Sequence, residues 1–235
     1  MAVSVQELSK KYGEQWALNK VSIEVGQNEV LGLLGPNGAG KSTLMKCIVG
    51  ALAPSSGQVW VNEKNVQEFP LETKSVIGYL PENNPLYLDM YVKEYLNFVA
   101  DLRKIPTTEI DAVIEKTGLA PEKNKRIKAL SKGYKQRVGL AQAIIHQPKI
   151  LILDEPTNGL DPNQIIEIRN LIREVGKDKT IILSTHIMQE VEALCSRVVL
   201  LNKGQKLTDT SIEEFRGNFA SLEEAFHELT LQSKK

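Results

Sequence analysis

The fold of this chain is decided by Val30-Leu-Gly-Leu-Leu-Gly35-Pro-Asn-Gly-Ala-Gly40-Lys41-Ser42-Thr43. Its first five residues form a nearly continuous apolar run, which is typical of a strand buried on both faces. A helical pattern begins at about Lys41. The glycine-rich loop in between matches G-x-x-x-x-G-K-[ST] and has the strand and helix flanks that this phosphate-binding motif requires. The sequence therefore predicts a site for a nucleoside triphosphate.

The residue types of this loop suit a polyphosphate. Glycines allow the backbone N–H groups to turn inward and approach phosphate closely, and the start of the helix adds its positive dipole end. We expect Lys41 to bridge the β- and γ-phosphates and Ser42 to ligate Mg²⁺. The predicted nucleotide-binding residues of the loop are Gly35, Pro36, Asn37, Gly38, Ala39, Gly40, Lys41, Ser42 and Thr43.

A second apolar run, residues 150–153, ends in two acids, Asp154 and Glu155. Ligands of parallel sheets bind beyond the carboxyl ends of the strands, so this strand end belongs beside the phosphate loop. We expect Asp154 to hold the Mg²⁺ shell and Glu155 to polarise the attacking water. Without the phosphate loop, a solvated strand-to-turn junction would explain the two acids equally well.

The order of the elements predicts an α/β fold. Strand-like runs at 30–34, 150–153, 180–184 and 198–201 are separated by helical patterns, which favours a parallel sheet. Between about 83 and 147 the chain is mostly helical, as an inserted subdomain would be. We therefore predict one domain, with a sheet core at about 1–82 and 148–210, a helical subdomain at 83–147 and a short helical tail at 211–235.

Composition excludes several classes of function. Lys plus Arg equals Asp plus Glu, at 29 each, and a neutral chain is a poor candidate for binding nucleic acid or an anionic membrane. No run approaches the ~20 apolar residues that span a bilayer, and the N-terminus does not resemble a signal peptide. We expect a cytoplasmic chain without direct membrane insertion, which reaches the inner face of the membrane only through a partner.

The cysteines and histidines do not indicate a metal site. Cys47 and Cys195 are the only cysteines, and each lies in an apolar, helix-like context. We interpret both as reduced core residues and not as a disulfide or metal pair. The three histidines are far apart in sequence, so a zinc site is not expected.

Residues 130–137, Leu-Ser-Lys-Gly-Tyr-Lys-Gln-Arg, narrow the class of ATPase. Ser131 can cap a helix that begins near Lys132, and its hydroxyl with the Gly133 backbone could bind a γ-phosphate. This segment resembles the signature of the ABC ATPase family and lies at the usual distance before Asp154. The resemblance implies that the segment binds the nucleotide held by the opposite subunit, so the site is completed on dimerisation. A plain capped surface helix is the alternative.

Further segments resemble family motifs in the expected order. Asn158-Gly-Leu-Asp161 is similar to the D-loop, which contacts the partner subunit, and Asp161 is taken as a nucleotide-site residue. Asp161 can also cap a helix whose first position is Pro162. His186 resembles the switch histidine, which would hydrogen-bond the γ-phosphate and orient Glu155 and water. Tyr12 resembles the A-loop aromatic that stacks on adenine, with core packing as the alternative.

The resemblance covers nearly the whole chain and carries the family's properties as expectations. It implies a P-loop NTPase fold of the RecA-like type, with a mixed or parallel sheet core, an N-terminal antiparallel β subdomain and the inserted helical subdomain. It implies an ATP hydrolase with ATP and Mg²⁺ as cofactors and with Glu155 and His186 as catalytic residues. The implied partners are an integral membrane permease and a second ATPase subunit, identical or paired.

Two motifs depart from the family pattern. Lys132 and Tyr134 replace the second Gly and the Gln of the usual Leu-Ser-Gly-Gly-Gln, and Lys132 adds a charge near a phosphate. Glu82 stands where the Q-loop usually has Gln. A carboxylate can still ligate Mg²⁺, so the predicted metal-site residues are Ser42, Glu82 and Asp154.

The departures also point to a subfamily. Residues 77–82, 130–137 and 186–193 are similar to ATPases of the ABC-2 type, which usually pair with export permeases. Residues 83–91 and 160–170 resemble the ATP-binding component of bacterial gliding-motility transporters. The apolar residues among 85–90 are predicted to form part of the dock for the permease, with simple packing between subdomains as the alternative.

Two other classes of protein fit less well. A P-loop GTPase commonly reads guanine with Asn-Lys-x-Asp, and the nearest string here, residues 202–205, lacks the Asp. A non-transport ABC ATPase acting on ribosomes or DNA usually carries two cassettes or a long coiled coil. This chain has one cassette and no heptad run.

Overall fold

The computed structural model describes residues 1–232 and divides the chain into two compact units. The first unit comprises Met1–Lys74 together with the chain from Thr180 onward, and the second is Ser75–Lys179. The last three residues of the predicted tail, 233–235, lie outside the described residues. Within the described part, no helix combines the length and the apolar character needed to cross a bilayer.

The N-terminal part of the first unit is an antiparallel sheet of four strands. Strands β1 (Val3–Tyr12) and β2 (Gln15–Val25) form a long hairpin, and β1 also pairs with β4 (Ser56–Val61), which is followed by the short β5 (Lys64–Asn65). Along β2, Val21, Ile23 and Val25 are buried while the residues between them are exposed. This alternation is the one read from the sequence, and it places one face of the sheet against the core.

The same unit contains parallel strands. Strand β3 (Val30–Leu34) lies between β8 (Thr180–Ser184) and β9 (Arg197–Asn202), parallel to both, and β10 (Gln205–Ser211) returns antiparallel to β9. The helices of the unit are α1 (Lys41–Ile48), α2 (Pro70–Ser75, at its boundary), α7 (Met188–Leu194), α8 (Ile212–Arg216) and α9 (Leu222–Gln232). Part of the core is formed by Leu34, Val198 and Leu200 of the strands packed on Met188, Val191, Phe215 and Leu222 of the helices.

The second unit contains two parallel strands and most of the longer helices. Strand β6 (Ile77–Leu80) pairs with β7 (Ile150–Asp154), whose five residues are all buried. Its helices are α3 (Val92–Leu102), α4 (Thr108–Lys116), α5 (Lys132–Ile144) and α6 (Pro162–Val175), with 3₁₀ turns at Ala120–Glu122 and Ile127–Ala129. Helix α5 can approach β6 closely because Gly78 has no side chain. A Cβ there would lie 2.2 Å from the Ala143 carbonyl oxygen.

The predicted fold class is confirmed, with corrections to several element boundaries. The strands at 30–34 and 180–184 have the predicted limits. The helix predicted from Lys41 to Leu52 ends at Ile48, because Gly50 adopts a left-handed φ of 67° that turns the chain. The helix predicted over 131–147 runs from Lys132 to Ile144, with Ser131 as its N-cap. Cys47 is buried as predicted, whereas Cys195 follows α7 and is half-buried.

Candidate functional site

The phosphate loop follows the end of β3, and its glycines determine its conformation. Gly35 and Gly40 have φ values of 151° and 107°. A Cβ at Gly35 would meet the Leu201 carbonyl, and one at Gly40 would meet the Ala17 carbonyl and the Leu18 side chain. Only glycine fits both positions, so the loop is shaped by its backbone and by the strands packed around it.

Lys41 is held over the start of the loop. The residue is only 6% exposed, and its Nζ donates to the Gly35 carbonyl at 2.7 Å and to the Pro36 carbonyl at 3.4 Å. Ser42 and Thr43 lie half-buried in the first turn of α1, while Pro36, Asn37 and Gly38 are exposed at the crest of the loop. The ammonium group and the open crest lie where an anion could be bound from solvent.

His186 lies just after β8, the strand that pairs with β3 before the phosphate loop. Leu33 of β3 is paired with Ser184 of β8, so both strands end at the same edge of the sheet. The turn that follows β8 is fixed by a hydrogen bond from the Ile187 N–H to Thr185 Oγ1 at 3.1 Å, and His186 is exposed. The first unit therefore brings together the phosphate loop and His186, as their positions after parallel strands predict.

Tyr12 ends β1 and is 52% exposed, so it is not part of the core. The Nζ of Lys10 lies 5.4 Å from the centre of its ring. The exposed Trp16, paired with Lys11 across the hairpin, was not singled out from the sequence. The Nζ of Lys11 lies 5.6 Å from the centre of the Trp16 ring.

The predicted acids lie together at one end of the second unit. Leu80 of β6 is paired with Leu153 of β7, so Glu82, Asp154 and Glu155 all follow neighbouring strand ends. Asp154 is 1% exposed and Glu155 is 7% exposed. Burial raises the pKa of the Tyr79 phenol, and the charges of Asp154 and Glu82 raise it further.

Glu155 adopts a left-handed backbone conformation with a φ of 49°. Residues other than Gly, Asn and Asp rarely take this conformation, and it costs about 1–2 kcal/mol. Its carbonyl accepts a hydrogen bond from the Asn158 N–H at 3.1 Å, which closes a tight turn after β7. This turn ends the strand and fixes the backbone position from which the Glu155 side chain extends.

The segment 158–161 is held by side chains of its own unit. The Asn158 amide donates to Glu82 Oε1 at 3.2 Å. The carboxylate of Asp161 caps α6, accepting from the N–H groups of Asn163 at 3.1 Å and Gln164 at 3.0 Å. The cap predicted at Asp161 is therefore present, and its carboxylate is engaged within the chain.

The segment 130–137 forms the start of α5. Ser131 Oγ accepts from the Tyr134 N–H at 3.3 Å, and Ser131 itself is exposed. Gly133 is buried against the Gln164 side chain, while Arg137 bonds Glu167 at 2.8 Å and the Thr117 carbonyl at 3.0 Å. No acidic residue lies in the first turn of α5, so its positive dipole end is not offset by its own side chains.

Each unit thus assembles one set of predicted residues. The first holds the phosphate loop with Lys41, Ser42, Thr43 and His186, and the second holds Glu82, Asp154, Glu155, Asp161, Ser131 and Gly133. The three residues predicted to surround Mg²⁺, namely Ser42, Glu82 and Asp154, offer only oxygen donors. Oxygen donors suit a hard divalent cation, so the hydroxyl of the first unit and the two carboxylates of the second are each of the donor type that Mg²⁺ prefers.

Comparison with known proteins gives consistent matches. A family model described as "ABC transporter" matches residues 18–158, more than half of the chain. The chain is 39% identical to the Nod factor export ATP-binding protein I of Rhizobium meliloti, over 89% of this chain and 64% of that protein. It is 35% identical to the lantibiotic transport ATP-binding protein SrtF of Streptococcus pyogenes, over 99% of both chains. A solved ATP-binding subunit of an ABC transporter superposes with a TM-score of 0.87 at 31% identity, covering 98% of this chain and 100% of the other.

Proposed function

This chain belongs to the ABC transporter family as an ATP-binding domain that hydrolyses ATP, and we propose that it powers transport through a separate membrane permease. The observation that carries the proposal is the match with SrtF, a transport ATP-binding protein, over 99% of both chains. We place the chain in the cytoplasm, at the inner face of the membrane. A non-transport role on ribosomes or DNA is less favoured, because the named relatives act in transport.

The direction of transport is proposed to be export. The Nod factor relative is named for export, and the segments similar to the ABC-2 type agree with that direction. Because residues 83–91 and 160–170 resemble the ATP-binding component of gliding-motility transporters, we propose a transporter of that kind. The permease would select the substrate, because the ATPase supplies only the energy.

The phosphate loop is proposed to bind ATP through its backbone N–H groups and Lys41. On binding, the Lys41 ammonium would exchange its carbonyl partners for phosphate oxygens, which are charged and accept stronger hydrogen bonds. Tyr12, exposed at the end of β1, would stack on the adenine. Ser42, Asp154 and Glu82 would hold Mg²⁺, which supplies charge neutralisation at the β- and γ-phosphates.

Glu155 is proposed as the residue that polarises the attacking water, and His186 as the one that orients it at the γ-phosphate. The carboxylate of Glu155 is nearly buried, and its backbone is fixed by the turn to Asn158. A positioned base of this kind contributes typically 10²–10⁴-fold to rate. The exposed imidazole of His186 leaves the same sheet edge as the phosphate loop, which suits contact with the γ-phosphate.

The active form is proposed to be a dimer of two ATPase subunits. The start of α5 is exposed at Ser131 and free of acids, so it can accept an anion brought by a second subunit. ATP held at the phosphate loop of one subunit would complete the interface with Ser131 and Gly133 of the other. Hydrolysis removes that contact, so the closed dimer is favoured only while ATP is intact.

The permease is proposed to dock on residues 85–90. Tyr87 and Leu88 are 55% and 50% exposed, whereas Leu86 is buried. The Tyr87 ring packs on Tyr95 and Phe98, with ring centres 5.9 and 5.5 Å away. This packing would give a permease helix a rigid aromatic surface to contact.

The test is the mass in solution of Glu155→Gln, measured with and without Mg-ATP. Loss of the carboxylate leaves ATP binding intact and stops hydrolysis, so we expect a monomer that becomes a dimer only with Mg-ATP. The matched control, Glu155→Gln combined with Lys41→Ala, stays monomeric because ATP no longer binds. A Glu155→Gln chain that binds ATP and remains a monomer would contradict the shared-nucleotide dimer. Co-purification of ribosomes or DNA, with no membrane protein, would favour the non-transport class.

A further inference from the structure

The first turn of α5 is supported by one side chain of α6. A Cβ added at Gly133 would lie 3.1 Å from Cδ, 3.2 Å from Oε1 and 3.4 Å from Nε2 of Gln164. The whole carboxamide therefore lies against the side of Gly133 on which any other residue would carry its side chain. Because the first N–H groups of a helix have no partner within the helix, packing of this kind helps to keep the first turn in place.

Gln164 is itself held at the start of α6. Its N–H donates to Asp161 Oδ1 at 3.0 Å, and Pro162 occupies the first position of the helix. The Gln164 residue is half-buried. The cap fixes the backbone from which the side chain extends, so the carboxamide reaches Gly133 from a defined point.

A second contact joins α5 to α6 about one turn further on. Arg137 bonds Glu167 Oε2 at 2.8 Å and the Thr117 carbonyl at 3.0 Å. This contact lies four residues beyond Gly133 and secures the helix past its first turn. Loss of the Gln164 side chain would therefore act on the start of α5 while the rest of the helix stays attached.

The starts of the two helices share one small cavity. Ser131, Gly133 and Gln164 line a cavity of about 240 Å³ within the second unit. The acid among its lining residues, Glu167, is paired with Arg137, and Gln164 contributes a neutral amide. The two residues of α5 proposed to contact the phosphate of a second subunit thus face the same space as Gln164.

We propose that Gln164 is a positioning residue for the nucleotide of a second subunit and acts through the backbone of Gly133. Its carboxamide keeps the first turn of α5 where Ser131 and Gly133 meet the γ-phosphate. The proposal rests on the shared-nucleotide dimer of the proposed function. It adds to that site a residue of α6 that lies outside the predicted site residues.

The neutrality of Gln164 separates this role from a purely structural one. Gln164 is the third residue of α6, where an acid favours the helix because it lies near the positive dipole end. Gln164→Glu keeps the length and shape of the side chain, so the stability of α6 is expected to stay the same or to rise. Beside a phosphate, however, the added negative charge repels the nucleotide of the second subunit.

The test measures the dissociation constant of the dimer with Mg-ATP, by analytical ultracentrifugation, in the Glu155→Gln chain with Gln164→Ala or Gln164→Glu added. Gln164→Ala is expected to raise this constant about tenfold, because the contact is lost at both sites of a symmetric dimer. Gln164→Glu is expected to raise it at least about a hundredfold, because repulsion is added at each site. Salt raised from about 0.1 M to about 0.5 M should recover part of the loss only for Gln164→Glu.

Asn170→Ala, in the same Glu155→Gln chain, is the matched control. Asn170 is an exposed carboxamide of α6, and its Oδ1 accepts from Arg173 of the same helix at 3.4 Å. Its dimer constant is expected to stay within about twofold of the reference chain.

Two further measurements separate the contact from other causes. ATP binding by each monomer, at protein concentrations below the dimer constant, is expected to stay within about twofold of the reference, because the phosphate loop is unchanged. Urea unfolding is expected to show that Gln164→Glu is at least as stable as the reference chain.

Several results would overturn the role of Gln164. Dimer constants unchanged in both variants, beside a reference chain that dimerises, would remove it and leave the proposed function standing. A loss in Gln164→Ala without a larger loss in Gln164→Glu would assign Gln164 to helix packing alone, as would losses that follow the free energy of unfolding. A reference Glu155→Gln chain that binds ATP and stays a monomer would instead contradict the proposed function, and the role of Gln164 would fall with it.

Discussion

The phosphate loop and the loop 158–161 are built by different means. In the phosphate loop, backbone carbonyls of Ala17 and Leu201 occupy the space beside Gly40 and Gly35, so only one residue type fits. In the loop 158–161, side chains provide the neighbours, since the Asn158 amide bonds Glu82 and Lys132 lies against Gly159. A side chain added in the first loop therefore meets fixed backbone atoms, whereas one added in the second meets a side chain that can move.

The largest expected effect tests the backbone-built loop. Gly40→Ala would place a Cβ against the Ala17 carbonyl at a φ of 107°, so we expect a loss of about 3–5 kcal/mol in the free energy of unfolding. Gly38→Ala is the matched control, because Gly38 also has a positive φ, 79°, but no atom within 4 Å of the added Cβ. It should cost only about 1–2 kcal/mol. Urea unfolding measures both, and equal losses would contradict the role of the neighbouring carbonyl.

A smaller effect tests whether low pH lowers the free energy of unfolding through His146 of the second unit. Burial, and then the charge of Arg103, lower the pKa of His146 to about 4, although its hydrogen bond to the Ile77 carbonyl opposes the shift. The pKa is lower in the folded than in the unfolded chain, where it is 6.5, so the unfolded chain binds more protons between these values. The stability that neutral His146 provides is present above pH 6.5 and is lost as pH falls toward 4.

The measurement is the free energy of unfolding at pH 7.5 and pH 5.0 for the unmodified chain and for His146→Gln. Because the side chain is partly exposed, we discount the shift by about half and expect the unmodified chain to lose about 1 kcal/mol more than the variant. Carboxylates titrate in both chains and cancel in the comparison. Equal losses would show that His146 is protonated as easily in the folded chain as in the unfolded one.

The smallest effect tests one side chain of the loop 158–161, the Asp161 carboxylate that caps α6. Asp161→Ala removes the acceptor for two N–H groups at the start of α6 and should cost about 1 kcal/mol in the free energy of unfolding. Asp161→Asn keeps an acceptor and should cost less than about 0.5 kcal/mol. Chemical unfolding of the two variants decides the point. A similar loss in both would mean that the charge, and not the cap, matters at this position.

The same contrast explains what could be predicted from the sequence. The strand 30–34 with its glycine loop, the strand 180–184 and the caps at Ser131 and Asp161 depend on local patterns, and all of them are present. The expected roles of the site residues were assigned from the order of the motifs along the chain, and those roles stay predictions. Their placement after strand ends follows from the parallel pairing that the strand–helix alternation predicts.

Other features depend on contacts that no local pattern encodes. The hairpin of β1 and β2 contains several register shifts, so only residues 21–25 show clean alternation in the sequence. The end of α1 is set by the left-handed Gly50, which the apolar run to Leu52 conceals. The bond between Glu82 and Asn158 joins residues 76 apart, and only the folded chain brings them together.

The way Lys41 is held has a consequence for the turnover of nucleotide. Since its ammonium bonds the carbonyls of Gly35 and Pro36, the loop closes on its own lysine. If nucleotide binds at this loop as proposed, we expect little ordering of the backbone on binding, because the lysine already holds the loop in shape. Binding would then substitute phosphate oxygens for the two carbonyl oxygens around a single nitrogen.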